Sequence, residues 1–315
     1  MIFNLLIGLL LIVIGAEAFL RGAGTLRKHF ALPSFVVGLI LIGFGTSLPE
    51  LAVGIGATLA RFEGVALGLL LGSVIVNMAL ILGLCALIEP IRMSSKAIGR
   101  DGAATVIAAL YLLLGTLMEP TGLVWPLIGL ALFALYVALT FFEERRLSGT
   151  GVMARKAEFV RTGPAKMALG LGLVVLGLGG IIYGSAKLIE GSVGYAADLG
   201  LPLTVIGLAL LAVITSIPEA VVSIHSTIKG KGDVAVGNVL GSNVFNMLCV
   251  LPICQILMPG GESFFTGPWA MHAFAALMVS LVAYHFIVSD KTISRAEGAV
   301  LLMVYAGYLL AAVYQ

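Results

Sequence analysis

Apolar runs separated by short polar stretches recur along the whole 315-residue chain. They lie near 2–20, 33–59, 65–88, 102–118, 122–142, 168–189, 201–228, 234–257, 269–288 and 297–313. Crossing a hydrocarbon layer of about 30 Å takes about 20 helical residues, and most of these runs reach that length. Helix is the expected conformation, because an open strand would leave backbone N–H and C=O groups unpaired in lipid. The pattern predicts an all-α polytopic membrane protein with ten transmembrane helices. Composition agrees: 60% of residues are hydrophobic and only 11% are charged, too few charges for a soluble domain of this length.

The basic residues then orient the chain, since short loops rich in Lys and Arg stay on the cytoplasmic side. Sixteen of the eighteen Lys and Arg residues fall in loops that follow odd-numbered runs, and only Arg61 and Lys187 lie elsewhere. This bias places both termini outside the cytoplasm in a multi-pass protein of the plasma (inner) membrane. It also accounts for the net charge of +2 without nucleic-acid binding. Ala16-Glu17-Ala18 resembles the small-residue site that ends a secretory signal, but no positive segment precedes Phe3, so this run is expected to be a mature helix. Cys85, Cys249 and Cys254 fall inside predicted spans as small apolar side chains, with no disulfide or metal spacing.

An internal repeat organises the chain. Residues 31–55 align without gaps on 200–224, an offset of 169, with twelve of 25 positions identical. The same offset carries Gly15 onto Gly184, Gly22 onto Gly191, Gly72 onto Gly241, Ser73 onto Ser242 and Asn77 onto Asn246. Each half holds five helices, an odd number, so the second must enter the membrane from the opposite side. The expected organisation is a first five-helix repeat over 1–142, a cytoplasmic linker over 143–167 and an inverted second repeat over 168–315.

The repeated residues are polar ones that a membrane helix otherwise avoids. Each half carries Thr-Ser-x-Pro-Glu: Thr46, Ser47, Pro49, Glu50, and Thr215, Ser216, Pro218, Glu219. Proline has no amide hydrogen, so Pro49 is expected to free the carbonyl of Gly45, and Pro218 that of Ile214. The carbonyls of Thr46 and Thr215 can also turn to a cavity at such a break. All four Asp residues lie in loops or at helix ends, and among the glutamates only Glu17, Glu50 and Glu219 sit well inside spans. Glu17 has Arg21 one turn away and reads as a surface pair. Glu50 and Glu219 lie mid-span without Lys or Arg at their depth, where an ionisable group is costly unless partnered; a bound cation is the expected partner. Ser73 with Asn77, and Ser242 with Asn246, each share a helix face and offer further oxygens. Either pair alone would pass for packing glue; recurrence in both halves argues for a site.

Carboxylates, amide oxygens, hydroxyls and carbonyls without His or thiolate favour a hard cation over zinc or copper. Calcium takes 6–8 oxygens at about 2.3–2.6 Å, which this set can supply. Two negative charges neutralise one calcium or two sodium ions, so competition for the same carboxylates suffices for exchange.

With GFGTSLPE and GSVIVN in the first half, and ITSIPE and GNVLGSNVFN in the second, the chain resembles the sodium/calcium exchanger branch of the calcium/cation antiporter superfamily. The resemblance implies a secondary active antiporter, not an enzyme, that needs no cofactor and no protein partner and carries Ca2+ and Na+. It implies Glu50 and Glu219 as ligands of both ions, with Thr46, Ser47, Ser73, Thr215, Ser216 and Ser242 lining sodium sites. Gly43 and Ala212 would supply backbone carbonyls, and Asn77 and Asn246 would complete the middle. It further implies alternating access by sliding of the first and sixth helices, commonly with three sodium ions per calcium. Two departures touch the detail: ALGLLLGSVIVN in the first repeat is less polar than VAVGNVLGSNVFN in the second, and Ile214 replaces a small residue before Thr215.

A proton/calcium antiporter of the same superfamily is the nearest alternative, since a buried glutamate can bind a proton near neutral pH. His225, six residues past Glu219, reads as structural. A membrane-embedded hydrolase would use two carboxylates for acid/base work, but no His-Glu-x-x-His pattern or paired aspartates accompany them. A passive channel would lack saturable dependence on a counter-ion.

Overall fold

The structure is a computed structural model that describes residues 2–30, 44–93, 97–148, 163–200, 202–258 and 263–313. Its helices are α1 (Ile2–Phe30), α2 (Leu48–Leu59), α3 (Glu63–Ile88), α4 (Ala97–Met118), α5 (Val124–Ser148), α6 (Pro164–Leu199), α7 (203–215), α8 (Ile217–Ile228), α9 (Gly232–Leu257), α10 (Ala270–Ser289) and α11 (Arg295–Val313). Among the described residues, eight helices are long and apolar enough to cross a membrane, and α7 with α8, bent by 49° at the break between them, make a ninth where the pair counts as one span. The run expected at 33–59 lies partly outside the described residues; α2 is its described end. The chain is an integral, multi-pass helical membrane protein.

The repeat seen in the sequence extends to the backbone. Adding 169 to the limits of α2 gives those of α8, and adding it to those of α3 gives those of α9. Each of α3 and α9 widens to a π-helical turn at the same place, Val76–Ile81 in one and Asn246–Val250 in the other. Arg61 (φ 65°) occupies the left-handed bend that Gly230 (φ 67°) occupies in the second repeat. Helices α3 and α9 are the most buried spans, whereas α1, α5 and α6 face outward.

Helix α1 runs on past residue 20, and α6 runs on past residue 189 to a left-handed glycine cap at Gly200 (φ 63°). The two helices pack antiparallel, from Leu5 beside Gly191 to Thr25 beside Gly170, and α6 continues past that contact to its cap. Glycine allows the close approach: a Cβ on Gly15 would lie 2.7 Å from Gly177 O, and one on Gly177 would lie 2.5 Å from Phe19 N. Helix α5 likewise extends to Ser148, inside the segment expected as linker, and 149–162 lies outside the described residues. Strands β1 (Ile91–Arg92) and β2 (Thr292–Ile293) pair antiparallel, tying the α3–α4 loop to the α10–α11 loop.

The polar residues expected at the surface are found there. Arg21 Nε meets Glu17 Oε1 at 2.5 Å on the exposed side of α1, and Cys85, Cys249 and Cys254 are free thiols.

Candidate functional site

The Ser-x-Pro-Glu segment acts locally as a helix start. Ser47 and Ser216 stand at the N-caps of α2 and α8, the proline follows within the first turn, and the glutamate completes that turn. Proline is accommodated there because the first amides of a helix have no intrahelical acceptor, and a carboxylate in the first turn is favoured by the helix dipole. The second repeat shows the resulting break: α7 ends at Thr215 and α8 begins at Ile217. The carbonyl of Ala212 takes part in closing α7, accepting Ser216 N–H at 3.2 Å and the Thr215 hydroxyl at 3.5 Å. Gly43 lies outside the described residues.

Neither cap serine uses its hydroxyl on its own helix. Ser47 Oγ donates to Glu219 Oε1 at 2.9 Å, and Ser216 Oγ donates to Glu50 Oε1 at 3.3 Å. Each carboxylate is thus held by the serine of the opposite repeat, and the two helix starts face one another at the centre of the protein. Ser242 Oγ adds a bond to Glu219 Oε1 at 3.1 Å, with Thr46 Oγ1 3.4 Å from Ser242 Oγ. Glu50, Glu219, Ser47, Ser73, Asn77, Ser242 and Asn246 are completely buried, and Thr46, Thr215 and Ser216 nearly so.

Glycines on α3 bring the amide-bearing helix against α7. A Cβ at Gly72 would lie 2.4 Å from Leu208 O, and one at Gly68 would lie 2.9 Å from Thr204 O. Ser73 and Asn77 therefore reach the centre from one side and Ser242 and Asn246 from the other. Asn246 Nδ2 donates to Ser73 Oγ at 3.3 Å, and Asn77 Nδ2 donates to Asn243 Oδ1 at 2.9 Å. Both amides have their nitrogens engaged, and neither Asn77 Oδ1 nor Asn246 Oδ1 accepts a hydrogen bond. The same holds for Glu50 Oε2 and Glu219 Oε2. Among the described residues these four are the buried side-chain oxygens without a partner, and all four belong to the repeated motif. Buried acceptors are otherwise almost always satisfied, so the coincidence singles out these four oxygens as candidate ligands.

The sequence reading left out three neighbours. Asn238 donates from Nδ2 to Glu219 O at 3.3 Å and to Ser223 Oγ at 3.1 Å, and receives the Thr46 hydroxyl at Oδ1 at 3.4 Å. Asn243 meets Asn77. In the first repeat Leu69, Gly54 and Val74 stand where Asn238, Ser223 and Asn243 stand in the second, so symmetry could not reveal them. The signal for Asn238 and Asn243 was the greater polarity of GNVLGSNVFN. The ion pairs Arg21–Glu17, Arg100–Asp101, Arg100–Glu143 and Lys187–Glu190 lie elsewhere, and among the described residues no Lys or Arg acts on Glu50 or Glu219.

The hydrogen bonds across the repeats yield a prediction. Ser47→Ala or Ser216→Ala removes a donor to a buried carboxylate, a bond worth about 1.5–3 kcal/mol. Each is expected to lower the stability of the ion-free protein by about that amount, measured by thermal unfolding of purified protein in detergent.

A multi-pass helical protein whose centre gathers carboxylate and amide oxygens with no basic side chain among them falls in the class of membrane cation carriers. The sodium/calcium exchanger protein family model matches residues 1–143 and 169–314, and the chain belongs to that family. It is 29% identical to the sodium/calcium exchanger MaX1 of Methanosarcina acetivorans, over 98% of this chain and 97% of that protein. It is 32% identical to the inner membrane protein YrbG of Escherichia coli, over 81% of this chain and 79% of that one. Structures of the sodium-calcium exchanger NCX_Mj superpose with a TM-score of 0.67 at 25% identity, covering 98% of this chain and 97% of that one. The chain is a cation/Ca2+ exchanger, and its family consists of transporters rather than enzymes.

Proposed function

We propose that the chain moves calcium in exchange for sodium by alternating access at the buried centre between α2, α3, α8 and α9. The four unpartnered oxygens of Glu50, Glu219, Asn77 and Asn246 carry this reading. With the hydroxyls of Thr46, Ser47, Ser73, Thr215, Ser216 and Ser242 beside them, they provide an all-oxygen shell of the kind that calcium and sodium take. One calcium or two sodium ions balance the two carboxylates, so the ions compete for one site. The ion-free site would bury two bare negative charges, a cost of several kcal/mol each that opposes reorientation without a cation. That cost makes the process exchange rather than leak.

Sodium as counter-ion is supported by the relatives described as sodium/calcium exchangers. Two five-helix repeats over 1–142 and 168–315 with a linker between them are supported by the break in the family match at 144–168. The distribution of Lys and Arg supports both termini outside the cytoplasm. Calcium uptake into proteoliposomes tests the counter-ion: an outward sodium gradient is expected to drive uptake, and an outward proton gradient of equal size is not. Uptake that follows the proton gradient and ignores sodium would overturn the sodium assignment.

A further inference from the structure

The two central amides are held in place by different means, although the repeats would predict the same one. Ser73 of the first repeat accepts from Asn246 Nδ2 and donates its hydroxyl hydrogen bond to Leu70 O at 3.1 Å. The symmetric bond would run from Asn77 Nδ2 to Ser242 Oγ. Ser242 instead directs its hydroxyl to Glu219 Oε1, and Asn77 Nδ2 turns to the next residue, Asn243, at 2.9 Å. The first repeat has Val74 at the equivalent position.

We propose that Asn243 is a positioning residue for calcium: its amide oxygen holds the nitrogen of Asn77 away from the site and so turns the oxygen of Asn77 toward the ion. This rests on the buried site described under Proposed function. A role as packing glue does not account for Asn243. Its Nδ2 is buried and makes no hydrogen bond, and a buried amide left half-satisfied costs more than one hydrogen bond returns. Val74 shows that the equivalent place in the first repeat takes an apolar side chain of similar size, completely buried. Asn243 is retained, on this view, for the direction it imposes. An amide can be turned end for end at little steric cost, and a nitrogen presented to a cation would repel it.

The test uses the full chain, purified, with calcium titrated against thermal unfolding and the same variants assayed in proteoliposomes. Asn243→Val is expected to weaken calcium binding about tenfold, as loss of a partner behind a metal ligand commonly does. It should leave kcat within about twofold and the unfolding temperature without calcium undiminished, because the unpartnered donor goes with it. In an Asn77→Ala background, Asn243→Val should add less than about twofold, since its effect passes through Asn77. If valine prevents folding, Asn243→Ser, too short to reach Asn77, carries the same expectation. Unchanged calcium affinity in Asn243→Val, or a full effect persisting on top of Asn77→Ala, would overturn the proposal while leaving the transport reading intact. An unsubstituted chain that shows no response to calcium would overturn both.

Discussion

Glu50→Gln and Glu219→Gln are each expected to reduce calcium exchange by at least about 100-fold, because either change leaves one negative charge against a doubly charged ion. Glutamine fills the same volume and retains an oxygen to accept from Ser216 or Ser47, so the fold should survive. Its stability without ions should rise, since burying an amide costs less than burying an unpaired carboxylate. The paired expectation is a higher unfolding temperature in calcium-free buffer and loss of the calcium-induced increase. A variant that exchanged calcium normally in liposomes would show that its carboxylate is no ligand.

Gly72→Val is expected to destabilise the protein by about 3 kcal/mol or more and to abolish exchange. The new side chain would meet Leu208 O at 2.4 Å and Ala212 Cβ at 2.7 Å. Backbone on a neighbouring helix cannot rotate away as a side-chain tip can, so α3 and α7 must separate. That separation would carry Ser73 and Asn77 off the centre. Gly172→Ala serves as the control: nothing lies within 4 Å of a Cβ there. It should be neutral or stabilising by up to about 1 kcal/mol through helix propensity. Thermal unfolding in detergent separates the two, and equal stability of both variants would show that the tight approach at Gly72 is unimportant.

Much of the candidate site stands out in the sequence alone, because its residues are anomalies in a membrane chain. Glu50 and Glu219 stand out as mid-span carboxylates, and Asn77 and Asn246 as amides recurring at a fixed offset. Asn238, Ser223 and Asn243 did not stand out, since their first-repeat counterparts are Leu69, Gly54 and Val74. A search guided by symmetry finds what the halves share and passes over what one half adds.

The helix ends show the same division. The apolar runs near 2–20 and 168–189 stop short of the helices they belong to, since α1 extends to Phe30 and α6 to Leu199, and backbone hydrogen bonding carries a helix on outside an apolar stretch.

The amino-acid sequence by itself determined the helical, membrane-spanning character, the repeat, the helix starts at Ser-x-Pro-Glu and which oxygen-bearing side chains lie within apolar runs. These follow from local causes: apolar length, a missing amide hydrogen, a side chain's charge. Only the tertiary structure decided that Ser47 serves Glu219 and Ser216 serves Glu50, and that Asn243 rather than Ser242 holds Asn77. Pairing within a repeat and pairing across repeats fit the same symmetric sequence. The choice between them depends on how closely segments more than 160 residues apart approach, and packing of α3 against α7 and α9 sets that distance.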